Sequence, residues 1–154
     1  MKSLKRLIKK YNLDGYIIPK NDEYFNEYVL PSKDRLKFIS GFSGSAGFAI
    51  ILKNKNYLFV DGRYTIQARY QSGKKFEVVT MPRKFPKNVV KTNKKIILGF
   101  DPKLHTEKQL SFLFKFKNIS LKSLDQNLVD IVWYKKPKEF IKPFFSLSKK
   151  NTGI

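Results

Sequence analysis

Residues 41–64 read GFSGSAGFAIILKNKNYLFVDGRY. Two apolar runs, 46–52 and 57–61, flank the connection Lys53-Asn-Lys-Asn56. Short runs rich in β-branched and aromatic residues, joined by a four-residue Lys/Asn link, predict a β-hairpin. Asp61-Gly62-Arg63 then hands the chain to a helix over 64–72, with Ile66 and Ala68 expected to face inward. Ahead of the hairpin, Gly41–Gly47 packs three glycines and two serines into seven residues, which suits a tight loop.

Working outward, helices and strands alternate on both sides of this hairpin. Leu4, Leu7, Ile8 and Tyr11 lie at i, i+3, i+4 and i+7, an amphipathic helix over 3–11 with Ser3 as its cap. Gly15–Pro19 reads as a short buried strand, and 20–35 is polar and irregular before a short helical run from Asp34 to Ile39. A strand at 75–81, a proline-bounded helix near 86–92 and a buried strand at 95–100 follow. Helix 106–116 opens on Thr106 and Glu107 and puts Leu110, Leu113 and Phe114 on one face. A strand near 118–123 and a helix around 126–134 complete a single α/β domain, residues 1–134, with a mixed sheet flanked by helices. Residues 135–154, with Pro137 and Pro143, read as an extended linker.

Composition bounds the chemistry. At 154 residues, 42% hydrophobic and without cysteine, the chain builds one core with no disulfide or thiolate site. The basic start MKSLKRLIKK lacks the apolar stretch and cleavage site of a signal peptide. No apolar run approaches the ~20 residues that span a bilayer, so a cytoplasmic protein with no membrane partner is expected. His105 is the only histidine; next to Thr106 it reads as a solvated loop residue, and no motif with metal-ligand spacing is present. The net charge of +20 comes mostly from lysine, with arginine only at positions 6, 35, 63, 69 and 83. Because lysines are spread along the whole sequence and no nucleic-acid-binding motif occurs, the charge reads as compositional, with no nucleic-acid partner expected.

Four ordered blocks resemble the creatinase-type N-terminal domain of long-form Xaa-Pro aminopeptidases. They are Asn21–Val29 (NDEYFNEYV); Asp34-Arg35-Leu36 leading to Ile39–Gly47; Val60–Tyr64 followed by Gln67-Ala68; and Asn127–Trp133 with Pro137, Pro143 and Thr152–Ile154. Gly99-Phe-Asp-Pro102 matches a further recurring stretch. The resemblance implies a ribonuclease H-like α/β fold and a domain that carries no catalytic residues of its own. A second related domain and a metal-binding peptidase domain would follow it, the latter holding two divalent metals, usually manganese, and removing an N-terminal residue that precedes proline. It also implies contact with those downstream domains, a homodimer, and peptide substrates with proline second. A pseudo-peptidase interaction module and a prolidase or creatinase relative are the alternatives. Where relatives often carry histidine and serine in the first block, this chain has Tyr24 and Asn26.

Several residues are candidates to border a substrate cleft: Tyr24, Phe42, Ser43, Gly44, Ser45, Arg63 and Tyr64. The Gly41–Gly47 loop abuts either a peptide or another subunit, or is a turn that launches the next strand; the turn is favoured. Arg63 either grips a substrate carboxylate or carbonyl, or pairs with Asp34 or Glu27 inside the domain; the internal pair is favoured. Asp22, Glu27, Tyr28, Asp34, Arg35 and Asp61 form an expected polar cluster, in which Asp61 could cap the following helix. Trp133 is expected in the core or as an interdomain seal, and Phe144 and Phe145 are expected to dock on further domains.

Overall fold

The hairpin forms as its pattern requires, and it sits at the centre of the molecule. In the computed structural model, which describes residues 1–140, 143–148 and 151, β2 (Phe48–Leu52) and β3 (Asn56–Asp61) pair antiparallel, Phe48 opposite Phe59. β1 (Gly15–Pro19) pairs antiparallel with β2 on its other side, and β4 (Glu77–Met81) runs parallel to β3. β5 (Ile96–Phe100) is parallel to β1, and β6 (Ile119–Ser123) to β5. The six-stranded sheet has the order β4-β3-β2-β1-β5-β6, with β2 alone reversed.

Both faces of the sheet are covered, which is why its strands are apolar at successive positions rather than alternating with polar ones. On one face Tyr16, Ile18, Ala49, Ile51, Leu58 and Val60 meet helices α1 (Lys2–Lys10), α2 (Arg35–Ser40), α3 (Thr65–Ser72) and α6 (Leu128–Val132). On the other, Ile17, Ile50, Phe59 and Leu98 meet α4 (Pro86–Val89) and α5 (Glu107–Phe114). Thr106 caps α5 as expected: its hydroxyl accepts from the Gln109 N–H while the Gln109 side chain accepts from the Thr106 N–H, both at 3.2 Å.

Several boundaries differ from expectation. Helix α1 starts at Lys2 after Met1 and has no side-chain cap, so Ser3 lies inside it; burial of Leu4 and Ile8 holds it instead. The strand expected from 75 starts at Glu77 because residues 73–75 form a 3₁₀ turn. In α3 the inward positions are the small residues Ala68 and Ser72, one turn apart, which let the helix lie close on the sheet. Ile66 is consequently 84% exposed rather than inward, with Tyr70 beside it on the outer face. Trp133 is buried and stacks on Phe38, ring centroids 4.5 Å apart. Residues 135–140 carry no helix or strand, and Phe144 and Phe145 are exposed. The Thr152–Ile154 part of the fourth block lies outside the described residues. Among the described residues, no helix is long and apolar enough to cross a membrane.

Leu58 has no exposed surface, so Leu58→Ala should destabilise by about 2–5 kcal/mol through lost burial and a cavity. Ile66→Ala should change stability by no more than about 0.5 kcal/mol. Urea unfolding midpoints of the two variants check both values.

Candidate functional site

Five parallel strands end at one edge of the sheet and the reversed β2 begins there, so the loops at 20–34, 41–47, 61–64, 81–85 and 101–106 all gather at that edge. In open α/β sheets the carboxyl ends of the strands form the crevice where ligands bind.

The Gly41–Gly47 loop is strapped to α3. Ser43 donates its backbone N–H to Gln71 Oε1 at 2.9 Å, and its hydroxyl accepts from Gln67 Nε2 at 3.0 Å and Gln71 Nε2 at 2.8 Å. Ser45 Oγ and the Tyr64 hydroxyl share a hydrogen bond of 2.8 Å. Gly41 ends α2 at φ +80, and a Cβ there would stand 2.8 Å from the Gln71 carbonyl, so this position takes glycine. A Cβ on Gly44 would collide with the Phe42 ring. Phe42 itself has no exposed surface; it packs edge-on against Tyr64 beneath the loop. It is a core residue and not a cleft-facing one, because burying the only large apolar side chain of the loop anchors the polar remainder.

Arg63 pairs with Asp61 rather than with Asp34 or Glu27. Its Nη2 lies 2.7 Å from Asp61 Oδ2 and its Nε 3.2 Å from Oδ1, while Asp61 Oδ1 also accepts the Arg63 N–H at 2.9 Å. The short span between the two residues favours this fork, and Asp34 is already engaged. Lys20 Nζ meets Asp34 Oδ2 at 2.6 Å in a buried ion pair, and Asp34 Oδ1 caps α2 by accepting from the Lys37 N–H. The Asp61 carboxyl lies below the usual range, first because the Arg63 side chain donates to it. Arg63 remains largely exposed, its guanidinium carbon 5.2 Å from the Tyr64 ring centroid.

The expected polar cluster is divided into separate groups. Arg35, buried, donates from Nη2 to Glu23 Oε1 and Asp130 Oδ2, both at 2.8 Å, and from Nε to Asp130 Oδ1 at 2.9 Å. Burial opposes charge on both carboxylates, but their hydrogen bonds with Arg35 help hold each below its ordinary pKa. Asp22, 2% exposed, instead organises its own turn: it accepts from the N–H groups of Tyr24 and Asn26 and from the Asn26 side chain. Glu27 and Tyr28 are exposed, and Asp61 stands with Arg63 on another loop. Tyr24, 79% exposed, is presented to solvent on the Asp22 turn.

His105 is not a solvated loop residue. Its ring stands edge-on to Phe100 and Phe114, and its Nε2 is buried without a hydrogen-bond partner. Burial pushes its pKa down to about 4 against the opposing charge of Asp101. It lines a pocket of about 220 Å³ at the same edge, with Lys20, Ser45, Met81 and Gln109. Sequence reading missed Lys20, Glu23, His105 and Asp130. Only Lys20 left a signal, as the first charge after a wholly buried strand. Among the described residues, no group of three or more His, Asp or Glu side chains is placed to hold a metal ion.

The family model described as "Creatinase/Prolidase N-terminal domain" matches residues 1–131. A Coprinopsis cinerea protein named "Probable Xaa-Pro aminopeptidase P" is 36% identical over 162 aligned positions, covering 98% of this chain and 26% of the relative. One of the same name from Paracoccidioides brasiliensis is 38% identical over 140 positions, covering 86% of this chain and 23% of the relative. The chain thus spans about a quarter of the length of these relatives. Among solved structures, the X-prolyl aminopeptidase of Caenorhabditis elegans, described as a cytosolic enzyme with a di-nuclear active site, superposes with a TM-score of 0.82. It is 26% identical, and the match covers 99% of this chain and 28% of the enzyme. The N-terminal domain of the cytoplasmic peptidase PepQ of Mycobacterium tuberculosis shares the fold, with a TM-score of 0.61 and 24% identity over 84% of this chain and 95% of that domain.

The buried imidazole makes stability depend on pH. Unfolded, His105 takes up a proton near pH 6.5; folded, it does so only near pH 4. The unfolded chain therefore binds more protons between these values, and stability falls as pH drops through them. A loss of about 2 kcal/mol is expected by about pH 5. Urea unfolding at several pH values should show it, and His105→Phe should flatten the profile above about pH 5. The low carboxyl pKa values of Asp22, Glu23 and Asp130 act only at lower pH.

Proposed function

We infer from one fact, that this chain belongs to the creatinase/prolidase N-terminal domain family, that it is the accessory domain of a metal-dependent Xaa-Pro aminopeptidase and does no catalysis itself. The observation that carries this reading is the match of 98% of the chain to about a quarter of a protein that bears that name. A peptidase domain beyond this chain would supply the two metal ions, manganese by preference, and the chemistry. Residues 135–154 would lead towards it through a second related domain. A cytoplasmic homodimer completes the reading, and the description of the C. elegans enzyme as cytosolic supports its location.

On this reading the carboxyl edge of the sheet borders the entrance to the peptidase cleft. Arg63 is suited to the task because Asp61 pre-orders its guanidinium while leaving it largely exposed. Ser43, Gly44, Ser45 and Tyr64 form a stiff rim beside it, and Tyr24 is a second exposed contact on a separate rigid turn. The domain would select peptides by how they enter, with Arg63 holding a substrate carbonyl or carboxylate.

The 154-residue chain with added manganese should leave an Xaa-Pro tripeptide uncleaved; hydrolysis by the purified chain would overturn the reading. In the longer protein, Arg63→Ala should raise KM about 10-fold, the loss of one charge-assisted hydrogen bond, with kcat nearly unchanged. An unchanged KM would remove Arg63 from the cleft.

A further inference from the structure

The lysines are scattered along the sequence, but the fold brings eleven of them together at one edge, while others such as Lys84, Lys87, Lys103 and Lys108 stand exposed elsewhere. Four connections reach the amino edge of the parallel strands, opposite the candidate site: 10–14, 73–76, 90–95 and 115–118. The β2–β3 turn at 53–55 joins them there because β2 runs backwards. Each connection or its immediate flank carries two or three lysines, and all of these are exposed; Lys53, Lys55, Lys74, Lys75, Lys94 and Lys95 occupy three of the five. Hydrogen bonds tie the connections into one surface. Lys5 Nζ donates to the Lys53 carbonyl at 3.0 Å, Asn56 Nδ2 to the Lys75 carbonyl at 2.9 Å, and Asn118 Nδ2 to the Thr92 carbonyl at 2.8 Å. Two carboxylates stand among the lysines: Glu77 is neutralised by Lys55 at 2.6 Å, and Asp14 accepts from the Ile97 N–H at 2.8 Å.

We propose that this amino edge is a binding surface for the phosphate backbone of double-stranded nucleic acid. Six strands at about 4.8 Å spacing give an edge about 24 Å long, comparable to about seven base pairs. Charge is the dominant recognition chemistry of the surface, beside two small depressions walled by Ile8, Leu13 and Leu52 and by Tyr57, Val90 and Ile96. None of the large exposed hydrophobic side chains among the described residues lies in these five connections; Tyr24, Ile66, Tyr70 and Phe112 stand elsewhere. Single strands are held by stacking on aromatic rings, membranes by inserted apolar side chains as well as charge, and protein partners by an apolar interface core. A duplex backbone needs cations alone, and lysine supplies them as point charges without reading bases. The expectation that the chain has no nucleic-acid partner rested on the scarcity of arginine, the dispersed lysines and the lack of a binding motif. The fold removes the second premise, and a contact to the backbone alone requires neither arginine nor a base-reading motif. The surface is independent of the peptidase reading, since it lies at the opposite end of the sheet.

Fluorescence anisotropy of a labelled 20-base-pair duplex with the 154-residue chain tests the proposal. Binding should weaken with salt at a log–log slope of about −4 or steeper, corresponding to about five phosphates. The variant Lys53→Gln/Lys75→Gln/Lys94→Gln/Lys95→Gln should bind at least about 10-fold more weakly, with a shallower slope. The charge-matched variant Lys84→Gln/Lys87→Gln/Lys103→Gln/Lys108→Gln, at the opposite edge, should lose less than about 3-fold. All eight lysines are exposed, so both variants should keep the parent's unfolding midpoint. Equal losses in the two variants would overturn the proposal, as would no duplex binding at about 100 mM salt. So would tighter binding of a single strand or of phosphatidylserine vesicles.

Discussion

Everything in this domain hangs on the ladder between β1 and β2. Gly15 to Pro19 pair with Leu52 to Phe48, and the remaining strands are added outward from that pair. The ladder is apolar on both faces and each face fills its own core, so a slip by one residue would send every side chain of that strand into the wrong core. Its close packing leaves no room at Gly15, where a Cβ would stand 2.8 Å from the Ile51 carbonyl. The reversal of β2 has a second consequence. It brings the start of β2 and its preceding loop to the edge where the other strands end, and sends the β2–β3 turn to the opposite edge.

The two edges differ in how their polar groups are satisfied. At the carboxyl edge they are locked. Lys20 is committed to Asp34, Arg35 to Glu23 and Asp130, Arg63 to Asp61, and Ser43 to two glutamines. Buried ion pairs such as Lys20–Asp34 and those of Arg35 contribute little net stability but strongly penalise the loss of one partner, so they define geometry more than they add energy. A rim built this way presents Arg63, Ser45 and Tyr64 in one arrangement, as a surface bordering a cleft requires. At the amino edge the lysine ammonium groups mostly project into water with few partners. Cations without fixed partners suit a contact that tolerates many geometries, and fixed ones suit a contact that tolerates few.

Much of the fold was legible because its signals are local. The hairpin, the alternation of elements and the Thr106 cap each depend on residues within a turn or two of one another, and all appear near their expected places. The inward face of α3 was misjudged at Ile66, because on a short helix with weak amphipathicity the small residues Ala68 and Ser72 decide which side lies against the sheet. The candidate site was half legible. The loops that form its rim were identifiable, but Phe42 turned under rather than outward, and Arg63 took the nearest carboxylate instead of a distant one. His105 was misplaced because its neighbours in sequence are polar while its neighbours in space, Phe100 and Phe114, are aromatic.

Periodicity, turn chemistry and the ordered motif blocks were enough to assign the element types, the single α/β domain and the family, because each is written in neighbouring residues. Pairings across long separations belong to the folded state. Arg35 and Asp130 are 95 residues apart, and the drop in the His105 pKa comes from a cavity wall contributed by different elements. The placement of charge is the clearest instance. Lysines from five connections far apart in the chain are brought to one edge by strand direction, and strand direction is a property of the assembled sheet.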